Sequence, residues 1–279
     1  MAPAADAALA WLPMAGHVSR LWTDRSWLRD VQYRTEANLA ARQSLYAYQH
    51  PRLDVPAWAL GLAALTGTET VADIGCGNGI YLAELARRRH AGPVAGVDLS
   101  TGMLHDARGR ALHAGLVAGD AVALPLRDGA CDVALAMQML DHVPGPGAAV
   151  RELRRITRPG GQVLVALNGH GHLQELRDAI SAALTEGAGG QPRIIGGWLR
   201  VDDGAGLLAG EFATVARHDF TSELLIPGPQ PVEGYVRSMT VAEAVPDREQ
   251  LVAAVLRELR RDRDGTIRIR THTGCLIAR

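Results

Sequence analysis

The sequence predicts an α/β domain: a doubly wound, mostly parallel seven-stranded sheet with an N-terminal helical lid and C-terminal helical additions. Three observations carry that prediction. From residue 69 onward, short apolar runs alternate with amphipathic stretches, the order expected of strands and helices packed in layers. Most of the short runs read as unbroken Val, Ala, Ile and Leu, the pattern of strands covered on both faces. The first run, in "ETVADIGCGNGIYLAELARRR" (69–89), reaches three glycines at alternate positions, Gly75, Gly77 and Gly79, before a helical pattern starts. Glycine costs backbone entropy, so three of them imply a turn needing positive φ or a close approach to the main chain.

Taken in order, "TVADIG" is the first strand and "GIYLAELARRR" the helix after it. "GPVAGVDL" is the second strand, and Ser100 caps the helix in "STGMLHDARGRAL". "GLVAGDA" and "CDVALAM" are strands three and four; "GAAVRELRRIT" is a helix stopped by "RPGG", and "QVLVALNG" is the fifth strand. Beyond residue 170, "HLQELRDAISAALTEG", "VDDGAGLLAGEF" and "DREQLVAAVLRELRRD" read as helices and "GAGGQPRIIGG" as a loop. "ATVARHDF" is a strand, and "TIRIRTHTGCLIAR" alternates with period two as the last one. Before residue 69 lie seven aromatics, Trp11, Trp22, Trp27, Tyr33, Tyr46, Tyr48 and Trp58, with "TEANLAARQSLYAYQ" as a helix for Thr35 to cap. Such a preface is a candidate lid, and core is the alternative use of its aromatics.

Composition excludes several chemistries. The 279 residues are 47% hydrophobic and 21% charged, enough to bury a core. A net charge of -1 provides no general field for gathering phosphate backbones, so nucleic acid is not expected as a partner. All 29 basic residues are arginine, which rules out Schiff-base chemistry on a lysine. Cys76, Cys131 and Cys275 are odd in number and far apart, which fits a reducing cytosol rather than a disulfide framework. The first twenty residues lack the positive start of a secretory signal, and no apolar run is long enough to span a membrane. A cytoplasmic protein with no membrane partner is expected.

A strand, a glycine turn and a helix N-terminus together make a nucleotide-binding corner. The dinucleotide fingerprint wants glycine at position 80, where Ile80 stands, and the phosphate loop wants a lysine. A nucleoside without a pyrophosphate remains. Asp73 precedes the turn, where a carboxylate suits an ammonium group; Asp98 ends the second strand, where it suits a ribose diol; Asp120 follows the third, where it accepts from an exocyclic amine. A cationic amino acid joined to adenosine meets all three, and S-adenosylmethionine is that ligand. Each acid has a plainer alternative, Asp73 as a cap on the turn and Asp98 as a cap on the next helix.

At these residues the sequence resembles the class I S-adenosylmethionine-dependent methyltransferases, whose fold is Rossmann-like. "VADIGCGNGIY", "GVDLSTGML", "GDAVALPLRDGACDVALAMQMLDHV" and "ELRRITRPGGQVLVALNG" are similar to that family's motifs, in order and at normal spacing over residues 69–168, and most like its small-molecule subgroup. The resemblance implies that Gly75, Cys76 and Gly77 pass the methionine moiety, with Asp73 near its ammonium and Cys76 chemically inert. It implies Asp98 on the ribose, Leu99 and Met103 against adenine, and Asp120 with Ala121 at the adenine edge; Leu99 and Met103 could equally be core. Met137 and Gln138 would line the methionine end, and Tyr33 and Arg42 would meet the cofactor carboxylate. His142, one turn past the fourth strand, is the candidate catalytic base, with a packing or cofactor role as its alternative. His170, His172, His218 and Asp219 match no ligand spacing, so no metal is expected.

The resemblance divides the chain into a lid region, 1–66, and a methyltransferase domain, 67–279, with a cofactor half (67–170) and an acceptor half (171–279). The expected activity is transfer of a methyl group to O, N or C of a small molecule, an intermediate of secondary metabolism. A homodimer is the expected assembly. Transfer to RNA or protein, and binding of S-adenosylmethionine without transfer, are the rival readings.

Overall fold

A computed structural model describes residues 21–111, 113–186 and 199–279. Trp11 and the loop at 187–197 lie outside the described residues.

Among the described residues eight strands form one sheet in the order β1-β7-β8-β6-β5-β2-β3-β4. The parallel half follows the apolar runs: β2 (Val71–Ile74), β3 (Val94–Asp98), β4 (Gly115–Ala118), β5 (Cys131–Met137) and β6 (Thr157–Asn168). Every residue of β2 is buried, as a strand sandwiched by helices requires. β8 (Ile267–Ala278) pairs antiparallel with β6, and β7 (Val215–Ile226) pairs antiparallel with β8. The eighth strand, β1 (Gln49–His50), pairs antiparallel with β7 and corrects the expected count of seven. Two residues carry no periodicity, so this strand left no pattern to read.

The helices follow from their caps. α3 (Ile80–Arg87) starts at Gly79, which has φ 79°, and α4 (Thr101–Arg108) starts at Ser100, whose side chain accepts from the Met103 N–H at 3.2 Å. α5 (Pro146–Ile156) buries Val150, Leu153 and Ile156 against one face of the sheet, while Leu60 of α2 (Val55–Leu62) and Leu85 of α3 cover the other. α7 (Val201–Ala209) joins α5 on the first face. α6 (Gln174–Glu186), α8 (Gln230–Arg237), α9 (Thr240–Ala244) and α10 (Arg248–Glu258) pack with β7 and β8 around Ile180, Val236 and Val255. α2, α8 and α9 were not foreseen. Among the described residues no helix is long and apolar enough to cross a membrane.

Two further expectations change. α5 ends at Ile156, just before "RPGG" as expected, but "RPGG" also lies inside β6, where the register jumps from Cys131↔Thr157 to Val133↔Gln162. Gly160 has φ 76°, and a Cβ on Gly161 would lie 2.5 Å from the Asp132 carbonyl oxygen. The glycines therefore permit a bulge in the strand that takes over where the helix ends. The helix expected to begin at Thr35 is α1 (Ala37–Ser44), which continues as a 3₁₀ turn, Leu45–Tyr48. Thr35 Oγ1 accepts only weakly, at 3.4 Å, and Glu36 occupies the cap position. Leu45 is fully buried in the cluster around α6 and α10, so this part of the preface is built into the fold.

Candidate active site

A cavity of about 490 Å³ opens along the carboxyl ends of the strands, the edge where parallel sheets bind ligands. Its floor is the turn between β2 and α3. Gly75 and Gly77 have φ 68° and 53°, values open to glycine at no steric cost. A Cβ on Gly75 would also fall 2.8 Å from Met139, whereas one on Gly77 would meet only ordinary contacts with Leu39 and Met103. The turn is tied down from β3. Asp98 accepts from the Gly77 N–H and from the Ser100 N–H, both at 2.8 Å. Burial raises the Asp98 carboxyl, against the lowering effect of those two amides. Asp98 thus ties the turn to Ser100, the residue that caps the following helix, and also faces the cavity.

Of the remaining expected residues, Cys76, Leu99, Met103 and Ala121 reach the cavity wall, as do Met137 and Gln138 at the end of β5. Met103 is also core, 1% exposed. Burial pushes the Cys76 thiol far up, which makes it unreactive at the turn. Asp120 lines the wall too, and its carboxylate is held by Arg25 Nε at 2.8 Å. Two residues stand back from the wall. Asp73 is fully buried beneath the turn with no partner for either oxygen among the described residues, and burial, with the charge of Asp98, raises its carboxyl well above the usual range. Arg42 lies behind Tyr33, its guanidinium 5.1 Å from the ring centroid.

His142 and Tyr33 meet on the wall. Tyr33 Oη is 2.9 Å from His142 Nε2, and His142 Nδ1 is 3.3 Å from the Trp22 carbonyl oxygen. Trp22 also packs its ring on His142 at 4.8 Å between centroids. Sequence reasoning missed the Trp22 carbonyl and Arg25, for neither contact leaves a pattern along the chain. It missed Tyr46, Asn168 and Thr273 on the far wall as well. The other histidines do not converge on a metal. His172 contacts Tyr46, Asp219 contacts His272 at 2.7 Å, and His170 stands 3.8 Å from Asp202. No group of three His, Cys, Asp or Glu that could hold a metal occurs among the described residues.

The site fits S-adenosylmethionine in three respects: main chain open at the turn, a carboxylate fixed at the end of β3, and an unpaired buried carboxylate beneath the turn. Residues 72–165 match the family described as a methyltransferase domain. Over 114 residues, covering 39% of this chain and 45% of the relative, the sequence is 40% identical to a ubiquinone biosynthesis O-methyltransferase of Cupriavidus pinatubonensis. It is 37% identical over 126 residues, 45% of this chain and 49% of the relative, to a malonyl-[acyl-carrier protein] O-methyltransferase of Serratia marcescens. The match thus spans about half the length of these curated relatives. A candidate methyltransferase of Bacillus halodurans shares the fold with a TM-score of 0.59 at 18% identity, over 81% of this chain and 99% of its own. The YcgJ protein of Bacillus subtilis does so at 0.56 and 17%, over 79% of this chain and 97% of its own.

Proposed function

We propose that this chain, a class I S-adenosylmethionine-dependent methyltransferase by domain and by fold, transfers the methyl group to an oxygen of a small-molecule acceptor, an intermediate of secondary metabolism. One observation carries the reading. The hydrogen-bonded series from the Trp22 carbonyl through His142 to Tyr33 opens on the same cavity as the glycine turn and Asp98. Two relatives named as O-methyltransferases support oxygen as the atom methylated.

When bound, S-adenosylmethionine supplies an electrophilic methyl on a sulfonium with a neutral leaving group. The chain must then bind, align and handle one proton. Asp98 accepts from the ribose hydroxyls while it holds the turn. Asp73 lies beneath the turn, set back from the cavity wall. A carbonyl oxygen only accepts, so in neutral His142 the hydrogen sits on Nδ1 and donates to Trp22, leaving Nε2 as the base. Tyr33 O–H donates to that Nε2. An acceptor hydroxyl lying against Tyr33 gives its proton to the phenol oxygen as Tyr33 gives its own to His142. The acceptor oxygen becomes an alkoxide or phenoxide and His142 an imidazolium. Burial raises the Tyr33 hydroxyl, so its hydrogen stays in place until the acceptor supplies another. Tyr33, expected at the cofactor carboxylate, is in this reading part of the proton path, and Arg42 backs its ring. The segment around Trp22 to Tyr33 serves as the lid of the expected 1–66 region, closing over the domain at 67–279.

The test is transfer of label from methyl-¹³C S-adenosylmethionine, with purified protein and fractionated cell extract, followed by mass spectrometry. Label in a small molecule is the expected result. Label confined to RNA or protein would overturn the acceptor class, and no label in any fraction would overturn transfer itself.

A further inference from the structure

Past the cofactor corner the cavity runs on to the carboxyl end of β6 and to β8, where Asn168 and Thr273 face each other across the ladder. This end lies across β5 from β2 and β3, and beyond β6 it leaves the stretch that the motifs cover. Tyr46, from the 3₁₀ turn after α1, closes over it. Tyr46 Oη is 3.0 Å from His172 Nε2, and the two rings stack at 6.3 Å between centroids.

The direction of that hydrogen bond follows from the other nitrogen. His172 Nδ1 accepts from the main-chain N–H of His272 at 3.1 Å, so it carries no hydrogen. His172 is 3% exposed, and burial, with the charge of Arg177 nearby, pushes it down to about 3, which keeps the ring neutral. The hydrogen of neutral His172 is therefore on Nε2, and Nε2–H donates to Tyr46 Oη. The phenol's own hydrogen is left to be donated elsewhere. Among the described residues the Tyr46 hydroxyl has no other partner, and the side chains of Asn168 and Thr273 make no hydrogen bond. Asp54, which also lines the cavity, is exposed and caps α2 through the Ala57 N–H at 3.0 Å. This end of the cavity thus presents a fixed O–H donor beside an amide and a hydroxyl.

We infer that Tyr46 reads the methyl acceptor by donating to a carbonyl or carboxylate oxygen on it, and that His172 is the positioning residue fixing the direction of that donation. The acceptor class is a hydroxylated small molecule that bears such an oxygen away from the hydroxyl to be methylated. The inference rests on the methyltransferase reading above, since it concerns that reaction's acceptor.

Two probes matched in size separate the oxygen from the ring: 4-hydroxyacetophenone carries it and 4-ethylphenol does not. With the protein saturated in S-adenosylhomocysteine, titration of each probe should show about tenfold tighter binding of the ketone, the effect of one good hydrogen bond to a buried donor. Tyr46→Phe keeps the ring and should erase the preference. 4-Hydroxybenzoate as a third probe separates the two oxygen types, binding above the ketone for a carboxylate and below it for a carbonyl. Equal binding of ketone and ethylphenol, binding of neither, or a preference that survives Tyr46→Phe overturns the inference. A readout on the unaltered protein is the ¹⁵N spectrum of its imidazoles, where His172 should be neutral with hydrogen on Nε2; hydrogen on Nδ1 overturns the argument equally. S-adenosylhomocysteine titration keeps the two readings apart. Failure to bind it defeats the methyltransferase reading, whereas binding it without telling the probes apart defeats this inference alone.

Discussion

His142 is held at both ring nitrogens, and the partners differ in kind: a carbonyl that can only accept and a phenol that can give. That difference assigns the base nitrogen without recourse to titration. With the acceptor found by label transfer, His142→Gln and Tyr33→Phe should each lower kcat by roughly 10²–10⁴, the usual worth of a positioned acid–base group. Because the two pass one proton, the double variant should be about as slow as the slower single one. Steady-state kinetics on all three decides this, and multiplicative losses would separate the residues into independent roles. The place of His142 on the cavity wall was legible in the sequence, one turn past β5. Its partners were not, because a main-chain carbonyl 120 positions away imposes no residue type. Asp73 shows the opposite case: the motif marks it, but its burial, 0% exposed with both oxygens unpaired among the described residues, comes only from the fold.

The bulge in β6 shows why some elements were misread. "RPGG" has the composition of a helix stop, and only the cross-strand neighbour reveals its use: a Cβ on Gly161 would lie 2.5 Å from the Asp132 carbonyl oxygen. Gly161→Ala should therefore destabilise the protein by about 1–3 kcal/mol, the cost of forcing a side chain into a filled space. Thermal or denaturant unfolding measures it, and a change under 0.5 kcal/mol, the range of neutral surface substitutions, would deny that this glycine is needed. The parallel strands themselves were readable because burial on both faces writes itself as apolar runs. The segment before α1 is a second case. Arg25 pairs with Asp120 at 2.8 Å, so this segment already spans the end of the cavity where adenine is expected. Saturating S-adenosylhomocysteine should slow tryptic cleavage at Arg25 and Arg29 several-fold, and equal rates in the two states would refute the lid.

Across the whole molecule, two ends of one sheet edge carry two kinds of chemistry. The cofactor corner on β2 and β3 was legible from local motifs, whereas the far wall assembles Tyr46, Asn168 and Thr273 from three distant segments. Such an assembly depends on the tertiary fold, so no spacing announces it. Its buried histidine also ties fold to pH. His172 lies at about 3 when folded and near its ordinary value, about 6.5, when unfolded. Between those values the unfolded chain binds a proton that the native state refuses. Stability is therefore full above about pH 6.5 and falls as the pH drops toward 3, by up to about 1.4 kcal/mol per pH unit from this group. In His172→Gln that share of the acid limb should vanish when melting is followed against pH, and an unchanged limb would mean the group is not buried neutral. Everything at this site depends on the turn and the acid at the end of β3 holding the cofactor. Calorimetric titration of S-adenosylhomocysteine into the protein and into folded Asp98→Ala tests it most directly. The unaltered protein should bind, and the variant should bind roughly ten- to hundredfold more weakly, the cost of losing a charged hydrogen-bond acceptor; equal affinity in the two would mean that Asp98 does not hold the cofactor.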